Sequence, residues 1–415
     1  MPTRRSWTAS RNGWRGWVVK LKFLSLMRQG TLVNWAVIGV FVLLCGAWVL
    51  PSNKLYHQLI IFFLWLPALL ALFQRNFRTL LVQPEVVLFG MFSLWTLFVL
   101  YMQGGDDPVS KAKLPFYVLL TLFGVVLAAL NAKVQFEAQL RIAVLIGGGF
   151  ALFSVVDFYL IGQQASGRLI AIGLWDKTIM AAHAVGALAV IGALLFDPNW
   201  RKPWLLALLL VAAFGYATFL GLSQTRGVWV ALGATLVVMV VALPTRKGFL
   251  AILLMVLFVA GVALLNSEIL LQRGVSYRPA LWSGGLRLML DNWLWGFGFN
   301  QYEILVSAKG VLYKHPHNFF LDTGVRLGIP GLLLFCLLWG ATAIRGWQNR
   351  SEPLGRALLA LWAFSSVSLL TDGIGLWFKP NADWLITWLP ISLAMVLASR
   401  QTAGMAKPRE WKTEL

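Results

Sequence analysis

The sequence predicts an all-α integral membrane protein of about twelve transmembrane helices, with a long folded external loop between the ninth and the tenth. Three observations lead there. Of 415 residues, 59% are hydrophobic and only 12% charged, about half the ~25% charge of soluble domains. The mean hydropathy is +0.74. Apolar runs recur along the chain, each near the ~20 residues that carry a helix across ~30 Å of hydrocarbon. In lipid every backbone polar group must be satisfied within the protein, so only helices and closed barrels span it. The alternating ~10-residue pattern of a barrel is not seen.

Taken in order, the apolar runs place spans at 33–50, 55–73, 84–102, 114–130, 140–161, 176–196, 204–221, 227–243, 248–265, 331–346, 355–371 and 384–399. Residues 1–30 form a basic cytoplasmic tail with Arg4, Arg5, Arg11, Arg15, Lys20, Lys22 and Arg28, and no cleavable leader pattern follows it. Residues 31–400 form one polytopic membrane domain, and 401–415 a second cytoplasmic tail. With the amino terminus inside, inner loops collect Arg75, Arg78, Lys133, Arg141, Arg201, Lys202, Arg246, Lys247, Arg345, Arg350 and Arg356, whereas the short outer loops carry Lys54, Lys111, Lys113, Arg168 and Lys379. That asymmetry is the positive-inside rule. It also explains the net charge of +19 as membrane topology, with lipids as the partner and no nucleic acid. Cys45 and Cys336 both fall inside spans and carry no redox information.

The external loop, 266–318, is too short for an independent domain and too apolar for a linker, with Trp282, Trp293, Trp295, Phe297, Phe299 and Tyr302. It is expected to fold back on the bundle at headgroup depth, where tryptophan and tyrosine are favoured. The polar features cluster here and at the nearby span ends. Arg226, after Ser223-Gln-Thr225, sits at the outer edge of span eight; a cation at bilayer depth costs several kcal/mol unless it snorkels or has a partner. Arg278 precedes Pro279, which suits a helix start, so it would stand where backbone donors already favour anions. Arg287 lies nine residues on, on the opposite face of a continuous helix, and shares a ligand with Arg278 only if Ser283-Gly284-Gly285 breaks that helix. Either arginine could instead meet lipid phosphate. The glycines of Gly296-Phe-Gly298 suit a tight turn better than a phosphate cradle.

His315-Pro-His317-Asn318 is the sharpest feature. Asn318 suits the cap of a helix beginning at Phe319, whose positive end would face His317, and a neutral imidazole there can accept a proton. Zinc held by His315 and His317, or plain helix capping, are the competing readings; zinc needs further ligands, and His57 and His183 lie in other segments. Asp106-Asp107 could hold a divalent metal or be a solvated loop. Cationic side chains fill the role a metal would have, so no metal or other cofactor is expected. Gly328-Ile-Pro-Gly331 interrupts the next apolar run, so the chain is expected to enter the membrane there in two pieces lining a cavity.

Arg226-Gly, Arg278 four before Trp282, Asn292-Trp-Leu-Trp-Gly-Phe-Gly298, His317-Asn318 and Leu327-Gly-Ile-Pro-Gly331, in that order, resemble the O-antigen ligase and polymerase superfamily of bacterial inner membranes. Asp322 departs from the glutamate more often found, and takes no role in this reading. The resemblance implies transfer of a glycan from an undecaprenyl diphosphate carrier to lipid A-core, inverting and metal-independent, on the periplasmic face. It implies Arg226, Arg278 and Arg287 on the diphosphate, His317 as general base, and His315 and Asn318 in support. A polymerase or protein O-oligosaccharyltransferase of the same superfamily fits the same motifs. A lipid-anion transporter or flippase is the alternative from another class, though paired interrupted spans in matching halves are not seen.

Overall fold

The computed structural model describes residues 29–131, 135–162, 168–175, 177–196, 202–265, 277–306, 310–373 and 375–402. Nearly all of the two expected tails, the first part of the external loop (266–276) and the basic Lys133 and Arg201 lie outside the described residues. Among the described residues the fold is all-α apart from one small antiparallel strand pair. Helices α1 (Gln29–Val49), α2 (Asn53–Ala71), α3 (Pro84–Gln103), α4 (Pro108–Ala129), α5 (Phe136–Ile161), α6 (Thr178–Leu195) and α7 (Pro203–Leu222) come first. They are followed by α8 (Arg226–Ala242), α9 (Arg246–Leu265) and α10 (Arg278–Asp291). After the antiparallel pair β1 (Ile304–Val306) and β2 (Val311–Tyr313) come α11 (Phe319–Gln348), α12 (Pro353–Thr371) and α13 (Trp384–Thr402). Among the described residues α1–α7, α11 and α12 are long and apolar enough to cross a membrane; α8 is a shorter apolar helix, and α9 and α13 cover the two other expected runs.

Helix α12 lies at the centre, packed against α6, α8, α11 and α13. Small residues set these contacts. A Cβ on Gly186 of α6 would come within 2.4 Å of the Phe364 ring, and one on Gly227 of α8 within 2.6 Å of the Thr371 hydroxyl. Close backbone approach of this kind is how helices associate where lipid removes the hydrophobic drive. Helices α12 and α13 are mostly apolar and buried on nearly every face, from Leu354 to Leu369 and from Leu385 to Ala398, as interior helices of a bundle should be. The loop-side end of α12 is thereby fixed, and Thr371 and Asp372 stand at it.

The loop folds back as a second small core of Leu281, Met289, Tyr302, Ile304, Val306 and Val325. Its anchor is the break in α11. Gly328 has φ 69° and ψ 179°, so α11 is two helices joined at Gly328, and Pro330 supplies no N–H to the preceding turn. The freed backbone groups find partners outside the helix. Phe297 N–H donates to Val325 O at 2.9 Å, Gly298 N–H to Arg326 O at 2.8 Å, the Trp95 indole to Leu327 O at 2.8 Å, and Ile329 N–H to Trp293 O at 2.6 Å. The Trp-Leu-Trp-Gly-Phe-Gly stretch is therefore a brace for the broken helix. Gly296 and Gly298, at φ 66° and 61°, turn the strap tightly enough to lie against it, and the Trp295 ring stacks on Trp95 with centroids 5.6 Å apart.

Candidate functional site

Three helix starts converge at the loop-bearing end of the bundle. The turn from α7 to α8 is made by Ser223, Gln224 and Thr225, with Gln224 at φ 51°, and the Trp229 indole clamps it by donating to Leu220 O at 2.9 Å. Arg226 is the first residue of α8. Arg278 is the first residue of α10, with Pro279 behind it in the position that needs no N–H donor. Asn318 caps α11, its side-chain oxygen accepting from Leu321 N at 3.0 Å. Unpaired N–H groups and the helix dipole make each such start favourable to an anion.

His317 lies between β2 and that cap, at φ 51°, a left-handed conformation that costs a non-glycine residue about 1–2 kcal/mol. The corner is held by packing against α10. A Cβ on Gly285 would touch Pro316 and Leu321, and one on Gly284 would press into Ile304 at 2.5 Å. The glycines of Ser283-Gly284-Gly285 let α10 lie flat under the corner, and α10 runs unbroken from Arg278 to Asp291. Arg278 and Arg287 consequently project to opposite faces, and Arg287 is exposed.

A cavity of about 410 Å³ is lined by Arg226, Arg278, His317, Arg168, His183, Thr225 and Asp372 among others. Of the residues singled out from sequence, it gathers Arg226, Arg278 and His317. Arg287 is not among its walls, His315 faces another hollow, and Asn318 is buried as the helix cap. The imidazole of His317 is held by Asp372, Nδ1 to Oδ1 at 2.9 Å. An ionised carboxylate only accepts, so Nδ1 carries the proton, and in the neutral imidazole Nε2 then presents a lone pair. Burial works to raise the Asp372 carboxyl, but the hydrogen bond from His317 and the nearby His183, His317 and Arg278 outweigh it and hold it below the usual aspartate range. An ionised partner of this kind fixes the tautomer and would stabilise the imidazolium once a proton arrives.

Three wall residues escaped the sequence reading. Arg168 donates from Nη2 to Thr225 Oγ1 at 3.2 Å and so adds a guanidinium beside Arg226; in sequence it is one more loop cation after Gly167. His183, 2% exposed, lies within 3.7 Å of Asp383 across the bundle and reads as a lone histidine in an apolar helix. Asp372-Gly373 reads as a helix end. Asp322, given no role, is fully buried, accepts from the Tyr302 hydroxyl and pairs with Arg326 at 3.1 Å, so it ties the start of α11 to the loop. Burial and Asp322 push the Tyr302 phenol far up, which keeps it a donor. The rings of His315 and His317 lie 4.1 Å apart between centroids. No group of three or more His, Cys, Asp or Glu side chains is placed to hold a metal ion among the described residues.

Residues 211–336 match the family model for O-antigen ligase. Over 404 residues, 93% of this chain and 98% of the relative, the chain is 28% identical to the O-antigen ligase of Pseudomonas aeruginosa. The family-model segment contains Arg226, Arg278 and His317, while Arg168, His183 and Asp372 come to them from outside it.

Proposed function

Since the chain belongs to the O-antigen ligase family, we propose that it transfers O-antigen glycan from undecaprenyl diphosphate to the lipid A-core acceptor. The reaction takes place on the periplasmic face of the inner membrane, with both termini cytoplasmic. The observation that carries the reading is one hollow where Arg226, Arg278 and Arg168 stand at or beside helix starts next to a histidine oriented by a carboxylate. A diphosphate is already a good leaving group, so the protein must hold its growing charge and activate a weak hydroxyl nucleophile. Guanidinium forks and helix N–H groups suit the first task.

In the proposed step Nε2 of His317 takes the proton of the acceptor hydroxyl while that oxygen bonds to the anomeric carbon. The carbon–oxygen bond to the diphosphate breaks, its electron pair leaving with undecaprenyl diphosphate, and the configuration inverts. Asp372 stabilises the imidazolium that results. No step calls for a metal. Both substrates are amphiphiles and arrive laterally through the lipid.

The test is a reconstituted assay with purified protein, undecaprenyl-diphosphate glycan and rough lipopolysaccharide. Glycan-bearing lipopolysaccharide is expected from the wild type, unchanged in excess chelator, and is lost in His317→Ala while the variant remains folded in detergent. Movement of the lipid-linked glycan across a bilayer with no transferred product would overturn the reading in favour of a transporter.

A further inference from the structure

The His315 ring lines a second cavity, of about 290 Å³, which shares no lining residue with the first. The histidine pair is thus a partition between two hollows. The second one is basic and aromatic. Lys111, Lys314 and Arg326 contribute to its wall, and Lys111 Nζ lies 5.6 Å from the Phe378 ring centroid and 5.9 Å from that of Phe299. Arg326 is already compensated by Asp322 behind it, and Asp106 at the wall is engaged by Gln301 at 3.1 Å. Gln301 is neutral, so Asp106 keeps its charge and, with Lys111 in its field, offsets one lysine; Lys314 is left as the positive excess.

Two buried polar atoms of this wall, His315 Nδ1 and Trp377 Nε1, have no hydrogen-bond partner among the described residues. The Trp377 side chain is 4% exposed, and a buried donor left unmade is costly. Exposed aromatic faces such as Phe378 take the C–H face of a sugar ring, and a lysine takes an anionic substituent.

We propose that the second cavity binds an anionic sugar of the acceptor saccharide, next to the sugar whose hydroxyl attacks. The proposal rests on the functional reading above. For an inverting displacement the nucleophile enters opposite the leaving group. The leaving diphosphate occupies the arginine side of His317, so the acceptor comes from the His315 side. With the two rings 4.1 Å apart between centroids, one sugar residue bridges the cavity to Nε2 of His317. Lys314, which is exposed, and Phe378, 39% exposed, set acceptor specificity without touching the reacting atoms.

The experiment measures initial rates for the full-length protein against each substrate in turn, with rough lipopolysaccharide and the same material after dephosphorylation. Lys314→Ala is expected to raise KM for the acceptor about fivefold, Phe378→Ala to raise it similarly, and Lys314→Arg to restore it, with KM for the lipid-linked donor unchanged. If dephosphorylated acceptor raises the wild-type KM and Lys314→Ala adds nothing further, the anion is a phosphate. If dephosphorylation leaves the wild-type KM alone while Lys314→Ala still raises it, the anion is a sugar carboxylate. A rise in donor KM alone, or no change in either constant, overturns the proposal. A wild-type protein that forms no product at all overturns the functional reading first, and this one with it.

Discussion

Replacing Asp372 by Asn removes one charge and changes almost no volume, so it tests what the carboxylate does for His317. In the native site Nδ1 of His317 donates to Asp372 Oδ1 at 2.9 Å, and the pair is largely shielded, at 30% and 12% side-chain exposure. An asparagine can turn its amide nitrogen toward Nδ1, which moves the imidazole proton to Nε2 and removes the base. If it instead accepts through oxygen, the tautomer survives but the imidazolium loses its counter-charge. Positioned proton transfer contributes about 10²–10⁴-fold to rate. A loss of about 10²–10³ in kcat is expected, or roughly 3–4 kcal/mol of transition-state stabilisation at 1.36 kcal/mol per tenfold. Donor binding should move the other way. Asp372 also sits in the field of Arg278, so removing its charge leaves the guanidinium more available to phosphate, and KM for the lipid diphosphate should hold or fall. Steady-state kinetics in proteoliposomes separate the two constants. A kcat within about threefold of wild type, or a donor KM that rises with kcat unchanged, would refute the argument, since either means that Asp372 neither orients nor stabilises the imidazole.

Other consequences are equally concrete. Arg278→Ala should raise donor KM about 10–100-fold, the range of a lost charge-assisted hydrogen bond, with Lys rescuing only in part because it lacks the planar fork; Arg287→Ala, on the exposed face of α10, should leave donor KM near wild type, and equal losses at both positions would contradict their separation. Gly328→Ala should destabilise by more than the ~1–2 kcal/mol of a left-handed residue, because its Cβ would meet Leu294 O at 2.3 Å; a thermal-unfolding midpoint equal to wild type would count against the brace. Burial and the adjoining His317 ring hold His315 below the ordinary histidine value of 6.5. The unfolded chain therefore binds more protons just below that pH, and stability is lost as pH falls from 6.5 toward the lowered folded value. Detergent-solubilised wild type should lose more thermal stability between pH 7.5 and 5 than His315→Gln, and parallel curves would count against it.

The membrane class, the sites of most helices and the position of Arg226, Arg278 and Asn318 at helix starts were legible in the chain itself. They depend on local rules: apolar run length, proline at the first helical turn, asparagine at a cap, glycine and proline at a break. Residues 296–298 announced a tight turn and 328–331 a break in the helix, but not that one braces the other, because that pairing joins backbone groups whose partners sequence does not specify. The same limit hid Asp372, His183 and Arg168. Each is unremarkable in its own segment: His183 and Asp372 reach the cavity through the packing of α6, α8 and α12, set by Gly186 against Phe364 and Gly227 against Thr371, and Arg168 reaches it through its hydrogen bond to Thr225. Arg287 marks the opposite case. The sequence tied its access to a break in α10, and the tertiary structure keeps that helix whole, because Gly284 and Gly285 serve to let Ile304 and Pro316 approach. Periodicity and turn chemistry fixed which side chains begin helices; only the three-dimensional packing of distant segments decided which of them share one hollow, since that depends on contacts between faces rather than on neighbours along the chain.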